Sequence, residues 1–415
     1  MRKYITVSFL FFGLIISGIL QCSRQGQESN SNPNSNYGSN SKDNKILYRD
    51  VSEENLPVES LKGLSMDAKF GDIDGDGDLD IVIANEFKPN ILLINDGSGH
   101  FSNESEERIP QKERDSEDVG IADFNGDGHN DIIVVTEDDT ENELYLNRGD
   151  GTFTDASDRL PVEGTSNAVL AADINKDGLP DIIIGNNGQN EILINRGDAQ
   201  FNVGTEERLP QLEDVTQDIE LGDADGDGDM DLIVGNEGRN RLLINDGTGH
   251  FNDESDERLS YRETSEETRE ADFGDINGDG HLDLLFANVK AFVDGADMQN
   301  RVLINNGNGR FVDETKKRLP EAEHRSFDGD LFDLDGDGDL DLIFSNTMLR
   351  SKSATPFTVY ENDGDGIFTD KTSELLPVSA RGFGFDAEFA DLNGDGKKDL
   401  YLANRGSSDI LLLRK

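Results

Sequence analysis

The sequence predicts an all-β fold, a seven-bladed β-propeller of four-stranded antiparallel blades, with the ring closed by an N-terminal strand that completes the last blade. Three observations predict it. A unit of about 50 residues recurs from residue 47 to residue 415. Each unit carries four short strand signals separated by Gly-rich turns. The last unit lacks a fourth strand, and a segment that fits the gap stands before the first unit.

The elements follow in order within each unit. One unit reads FGDIDGDGDLDIVIAN from Phe70 to Asn85, and its leading loop Asp recurs at 72, 123, 173, 223, 275, 333 and 391. Strand one is a short apolar or alternating piece ending at that Asp. Strand two follows the loop, as in Asp80-Ile81-Val82-Ile83-Ala84, and strand three is an apolar run such as Ile91 to Ile94. A hairpin turn such as NDGSG or NRGDG comes next. Strand four begins with Phe and ends near Leu-Pro, as in Phe153 to Pro161. The seventh unit stops after strand three, at Leu411 to Lys415, and Leu47 to Pro57 matches Phe153 to Pro161. Pairing that front strand with the last unit protects sheet edges. It makes residues 47–415 one domain.

The Asp-rich loops are candidate metal centres. Position 1 is Asp72, Asp123, Asp173, Asp223, Asp275, Asp333 or Asp391. Position 3 is Asp74, Asn125, Asn175, Asp225, Asn277, Asp335 or Asn393. Position 5 is Asp76, Asp127, Asp177, Asp227, Asp279, Asp337 or Asp395. Position 9 is Asp80, Asp131, Asp181, Asp231, Asp283, Asp341 or Asp399, and position 6 is Gly throughout. Calcium takes six to eight oxygen ligands, and alternate side chains of a tight loop converge on one point. Asp and Asn exchange at position 3, so an oxygen is required there and a charge is not. The expected cofactor is Ca2+, at about seven sites. Loops one, four and six carry five acids each and are expected to bind most tightly. Loop three, with Lys176 and Pro180, and loop seven, with Lys397 and Lys398, are expected to be weakest.

Residues 1–21 read as an export signal: Arg2 and Lys3 precede an apolar run from Ile5 to Leu20. Cys22 is the one cysteine, so it has no internal disulfide partner. Ile19-Leu20-Gln21-Cys22 resembles the lipobox of bacterial lipoproteins, with Gln21 where that motif prefers a small residue. The resemblance implies lipidation at Cys22 and a membrane-anchored protein of the bacterial cell envelope. Residues 22–46 are rich in Ser and Asn and read as a tether. A formal charge of −49 excludes nucleic acid as a partner, because phosphate binding needs the opposite sign.

The loops, with Phe70-Gly71-Asp72 and Phe273-Gly274-Asp275 ahead of two of them, resemble the FG-GAP/VCBS repeat family, which includes the propeller of integrin α-subunits. The resemblance implies a propeller with calcium loops on one face and ligands on the other. The expected function is a cell-surface binding, adhesion or protein-interaction scaffold, monomeric, with a protein or glycan ligand at the cell surface or in the extracellular matrix. A lectin is the alternative, weakened by the absence of Trp, and a polysaccharide lyase stands behind it. No catalytic residue is assigned: the sequence has no Ser-His-Asp signature, phosphate loop or zinc motif.

Three surface features complete the reading. The connections 289–300 and 347–357 are long and adjacent, and Phe292, Met298, Met348, Arg350, Lys352 and Phe357 form a candidate partner patch. Five residues before the loops stand Asp67, Asp118, Ala168, Asp218, Glu270, Asp328 and Asp386; the six acids among them either ring a funnel and bind a cation or a basic ligand group, or hydrogen-bond to the neighbouring blade's backbone. Arg148-Gly149-Asp150 and Arg196-Gly197-Asp198 spell an adhesion tripeptide at hairpin tips, in slots that favour Gly and Asp in any case.

Overall fold

Continuous apolar residues after each loop become strands buried on both faces. In a computed structural model, which describes residues 46–137, 141–322, 325–347 and 353–415, strand two of the first repeat runs Asp80–Lys88. Ile81 and Ile83 pack with Tyr401 and Ala403 of the last repeat, while Val82 and Ala84 pack with Ile132 and Val134 of the second. The same sorting continues along the chain, so the core lies between successive sheets rather than in one central mass. Each fully buried Ile, Leu or Val contributes about 1.5–3 kcal/mol.

The result is an all-β fold of curled antiparallel sheets. Within a repeat the strands pair in chain order: Ser65–Gly71 with Asp80–Lys88, then Ile91–Asn95, then Phe101–Asn103. Strand one always carries a register shift at the same place, as between Ser65 and Asp67, just before the position that is acidic in every repeat but the third, where it is Ala168. The last repeat pairs Gly384–Ala390, Asp399–Asn404 and Ile410–Arg414. Its fourth strand is Tyr48–Asp50, with Tyr48 opposite Arg414 and Asp50 opposite Leu412.

Strand four is shorter than the sequence suggests. Phe153–Asp155 is strand, and Ser157–Arg159 is a 3-10 turn. The other repeats have a four-residue helical turn there, as at Ser105–Arg108 and Ser255–Arg258. The cause is local. Asn103 Oδ1 accepts the Ser105 N–H at 3.1 Å, which turns the chain, and Ser105 Oγ accepts the Leu92 N–H at 2.9 Å in place of a ladder bond.

Candidate metal centres and the joints between repeats

Each loop is anchored at position 9. Asp80 is 0% exposed; its Oδ2 accepts the Ile73 N–H at 3.0 Å and its Oδ1 the Asn95 N–H at 2.9 Å. The other six repeat this neck with small changes; in loop three Asn175 Nδ2 also donates to Asp181. Burial pushes the carboxyls up, to about 7 at Asp80, Asp231, Asp283 and Asp341 and about 6 at Asp131, Asp181 and Asp399.

Positions 1 and 5 shape the turn. Asp72 accepts the Gly75 N–H at 2.8 Å, and Asp76 accepts the Asp78 N–H at 3.0 Å. Position 4 takes a positive φ, +80° at Gly75, which glycine adopts without a Cβ penalty. In loop three Lys176 adopts +61° there, and its ammonium pairs with Asp229 of loop four.

Three loops bring three carboxylates together, with oxygens within 4.8 Å of one another: Asp72, Asp74 and Asp80; Asp223, Asp225 and Asp231; Asp333, Asp335 and Asp341. These are the loops with Asp at position 3. Asp74 Oδ1 and Asp225 Oδ1 are buried without a hydrogen-bond partner. Burial, then Asp76, pushes the Asp74 carboxyl up; burial, then Asp337, does the same to Asp335. A crowded set of hard oxygens with an orphaned buried acceptor fits a divalent cation of the calcium type. The same position 3 meets an arginine in two loops: Arg108 reaches Asp74 at 3.4 Å and Arg258 reaches Asp225 at 3.1 Å.

Those arginines belong to a feature the sequence reading did not single out. Arg258 donates to the Asn308 and Gly309 carbonyls, at 3.2 and 3.4 Å, and so holds the hairpin of the next repeat. Arg108, Arg159, Arg208 and Arg318 grip the following hairpins in the same way. Asn305 supports this joint from inside. Its Nδ2 donates to Ala224 of the preceding repeat at 2.8 Å and to Leu282 of its own loop at 3.0 Å, and its Oδ1 accepts from Gly307 and Gly309. The available signal was an Asn ending strand three at 95, 147, 195, 245, 305 and 362.

Between repeats six and seven every one of these positions differs. Leu375 replaces the Arg, Arg414 the Asn, and Tyr48 the Phe that opens strand four. The exchanges compensate one another. Tyr48 donates its hydroxyl to the Lys398 carbonyl at 3.2 Å, the position that Asn305 serves at Leu282. Arg414 donates to the Asp335 carbonyl.

The acids ahead of the loops act largely as bridges. Asp67 accepts the Val119 N–H at 3.0 Å, Asp118 that of Val169 at 2.7 Å, Asp218 that of Ala271 at 3.0 Å and Asp386 that of Ala68 at 3.1 Å. Lys69 lies among them, 2.6 Å from Glu388 and 3.4 Å from Asp67.

The candidate partner patch is divided. Phe292 is 66% exposed and lies 5.0 Å from the Arg269 guanidinium; Met298 is half-buried. Glu267 fixes this connection by accepting the N–H groups of Ala291, Phe292 and Val293. Phe357 is 1% exposed and packs in the core with Val359 and Leu402, so it offers no surface: the strand after the connection draws it inward. Met348, Arg350 and Lys352 lie outside the described residues, as do residues 1–45 with Cys22. At the first adhesion tripeptide Asp150 accepts the Thr152 N–H at 3.0 Å and Arg148 donates to Thr154 at 2.8 Å, bonds that serve the turn.

The FG-GAP-like repeat matches residues 72–134, 123–184, 173–234, 223–286, 289–344 and 347–402. No curated protein matches the chain. Among solved structures, BBS1N in complex with ARL6DN aligns with a TM-score of 0.55 and 10% identity, over 89% of this chain and 98% of that one. The extracellular domain of a hybrid two-component system from B. thetaiotaomicron aligns with a TM-score of 0.52 and 13% identity, over 89% of this chain and 40% of that one. An ancestral GH74 enzyme aligns with a TM-score of 0.51 and 10% identity, over 88% and 46%. These likenesses speak to a propeller-like fold alone.

Proposed function

The chain belongs to the FG-GAP-like repeat family, and from that premise we propose that it is a calcium-loaded, seven-bladed propeller acting as an exported binding scaffold at the cell surface. The carrying observation is the crowding of three carboxylates in each of loops one, four and six, with partnerless oxygens on Asp74 and Asp225 in the first two of them. Without a cation such a cluster repels itself; with one, the repulsion becomes coordination. The pairing of Tyr48–Asp50 with Ile410–Arg414, and the core shared by the first and last repeats, support a closed ring. The exposed Phe292 connection, at the strand ends remote from the loops, is the favoured protein-partner surface. Residues 1–21 serve export, and Cys22 carries the lipid.

Geometry sets an arginine beside each of the crowded loops. Arg108 and Arg258 offset the position-3 charge in loops one and four, and Arg414 bonds the Asp335 carbonyl in loop six. These three loops remain the ones expected to bind calcium most tightly. Native mass spectrometry of the full chain after chelation and calcium return should find about seven ions. Fewer than about three would sink the reading. Asp74→Asn should leave Arg108 without its carboxylate beside loop one and release an ion at lower chelator concentration than the parent does.

A further inference from the structure

The joint between repeats six and seven departs from the others in more than the exchanged strand requires. Leu375, Arg414 and Tyr48 follow from that exchange. Phe332, Lys397 and Lys398 do not. Where Phe332 stands, the other repeats have Gly71, Ala122, Ala172, Gly222, Gly274 and Ala390. Small residues are needed there because the next repeat packs directly on them: a Cβ on Gly222 would lie 2.6 Å from Phe273, and one on Gly274 would lie 2.8 Å from Leu331. Phe332 instead stacks on Phe389 at 4.3 Å between ring centroids, a wedge of one ring in the joint. At the places of Lys397 and Lys398 none of the other six loops has a lysine or arginine.

A cavity of about 410 Å³ lies at this joint, between loops six and seven. Among the described residues, no hairpin covers it: the turns that sit on the preceding loop elsewhere, such as Asn306–Arg310, have no counterpart between Arg414 and Tyr48. Its lining combines two chemistries. Lys397, Lys398 and Arg414 supply cations on a chain of formal charge −49, and Phe389 with Leu331 supplies an apolar wall. Lys397 bonds Asp395 of its own loop at 3.1 Å, while the Lys398 side chain is exposed.

We propose that this cavity is a binding site for an acidic sugar, a saccharide ring bearing a carboxylate or sulfate. The anionic group meets the lysines and Arg414, and the C–H face of the ring lies on Phe389. A bare anion leaves the apolar wall unused, and a neutral sugar leaves three cations unused. The volume suits one or two rings. The inference rests on calcium in loops six and seven, since the cations dominate the local field only when those carboxylates are neutralised.

Isothermal titration of the full chain in calcium, with a uronic-acid trisaccharide, a sulfated trisaccharide and a neutral trisaccharide, tests it. The expected result is binding of one or both acidic sugars and none of the neutral one. Lys397→Ala with Lys398→Ala should weaken that binding about tenfold or more, with the calcium count by native mass spectrometry unchanged. Should that variant lose calcium, the salt dependence of the parent decides: binding through these cations falls steeply as ionic strength rises. Acidic sugars that fail to bind the calcium-loaded chain overturn the cavity assignment and leave the calcium reading standing. Equal affinity for the neutral sugar, or binding indifferent to the variant and to salt, overturns it as well. A chain that takes up no calcium and binds no acidic sugar overturns both readings; one that takes up no calcium yet binds the sugar overturns the calcium reading and the dependence of this site on it, and leaves the cavity assignment standing.

Discussion

The joint between repeats four and five and the joint between repeats six and seven perform the same task with different residues. At the first, Arg258 grips the next hairpin and Asn305 ties two loops together. At the second, the strand completing the sheet comes from the far end of the chain, and a tyrosine, an arginine and a leucine take those places together. The recurrent residues of the repeat thus describe how units join as much as how each unit folds. Where the covalent connection changes, they change as a group.

The largest effect that sharpens the comparison is expected from Tyr48→Ala, which removes a fully buried ring from the exchanged strand. It should cost about 3–5 kcal/mol in denaturant unfolding, similar to Phe311→Ala at an ordinary fourth strand. A cost below about 1 kcal/mol would mean that the exchanged strand contributes little to the fold. Next comes Asn305→Ala, which abandons two buried carbonyls and two N–H groups and should cost about 2–4 kcal/mol. Arg414→Asn, by contrast, should change stability by less than about 1 kcal/mol, because Tyr48 already serves the Lys398 carbonyl. Arg258→Ala should cost about 1–2 kcal/mol and increase amide hydrogen exchange at the hairpin 306–310. Tyr48→Phe should cost about 1 kcal/mol for one part-buried hydrogen bond, and a double-mutant cycle with Arg414→Asn should show coupling.

Much of this architecture was legible in the chain. The short apolar runs, the Gly-rich turns and the front segment matching strand four are local patterns, and local patterns determine strands and their order. The front segment pairs where it was expected. The position-9 aspartates were legible as a recurring type, but not their double use as buried anchors, because Asp80 bonds Ile73 and Asn95 through backbone groups that leave no mark in sequence. Strand four was read too long, since Ser157 to Arg159 carry no breaker stronger than an Asx turn. Phe357 was taken for surface because it follows a long connection, yet its alternation with Val359 sends it inward. The joint residues went unread for a different reason. Asn305 and Arg258 look like ordinary polar residues until the neighbouring repeat supplies the carbonyls they bond.

The exchanged strand also sets an order of events. Hairpin partners meet within microseconds because few residues separate them, whereas Tyr48 and Arg414 pair only after every intervening repeat has been made. Closing so long a loop costs entropy that grows only slowly with its length, so the delay is one of synthesis rather than of search. A chain emerging N-terminus first therefore carries an unpaired β-edge at Tyr48–Asp50 until Ile410–Arg414 arrive. Nascent chains held close together would be prone to lend that strand to a neighbour's final repeat, a swap that the finished monomer no longer invites.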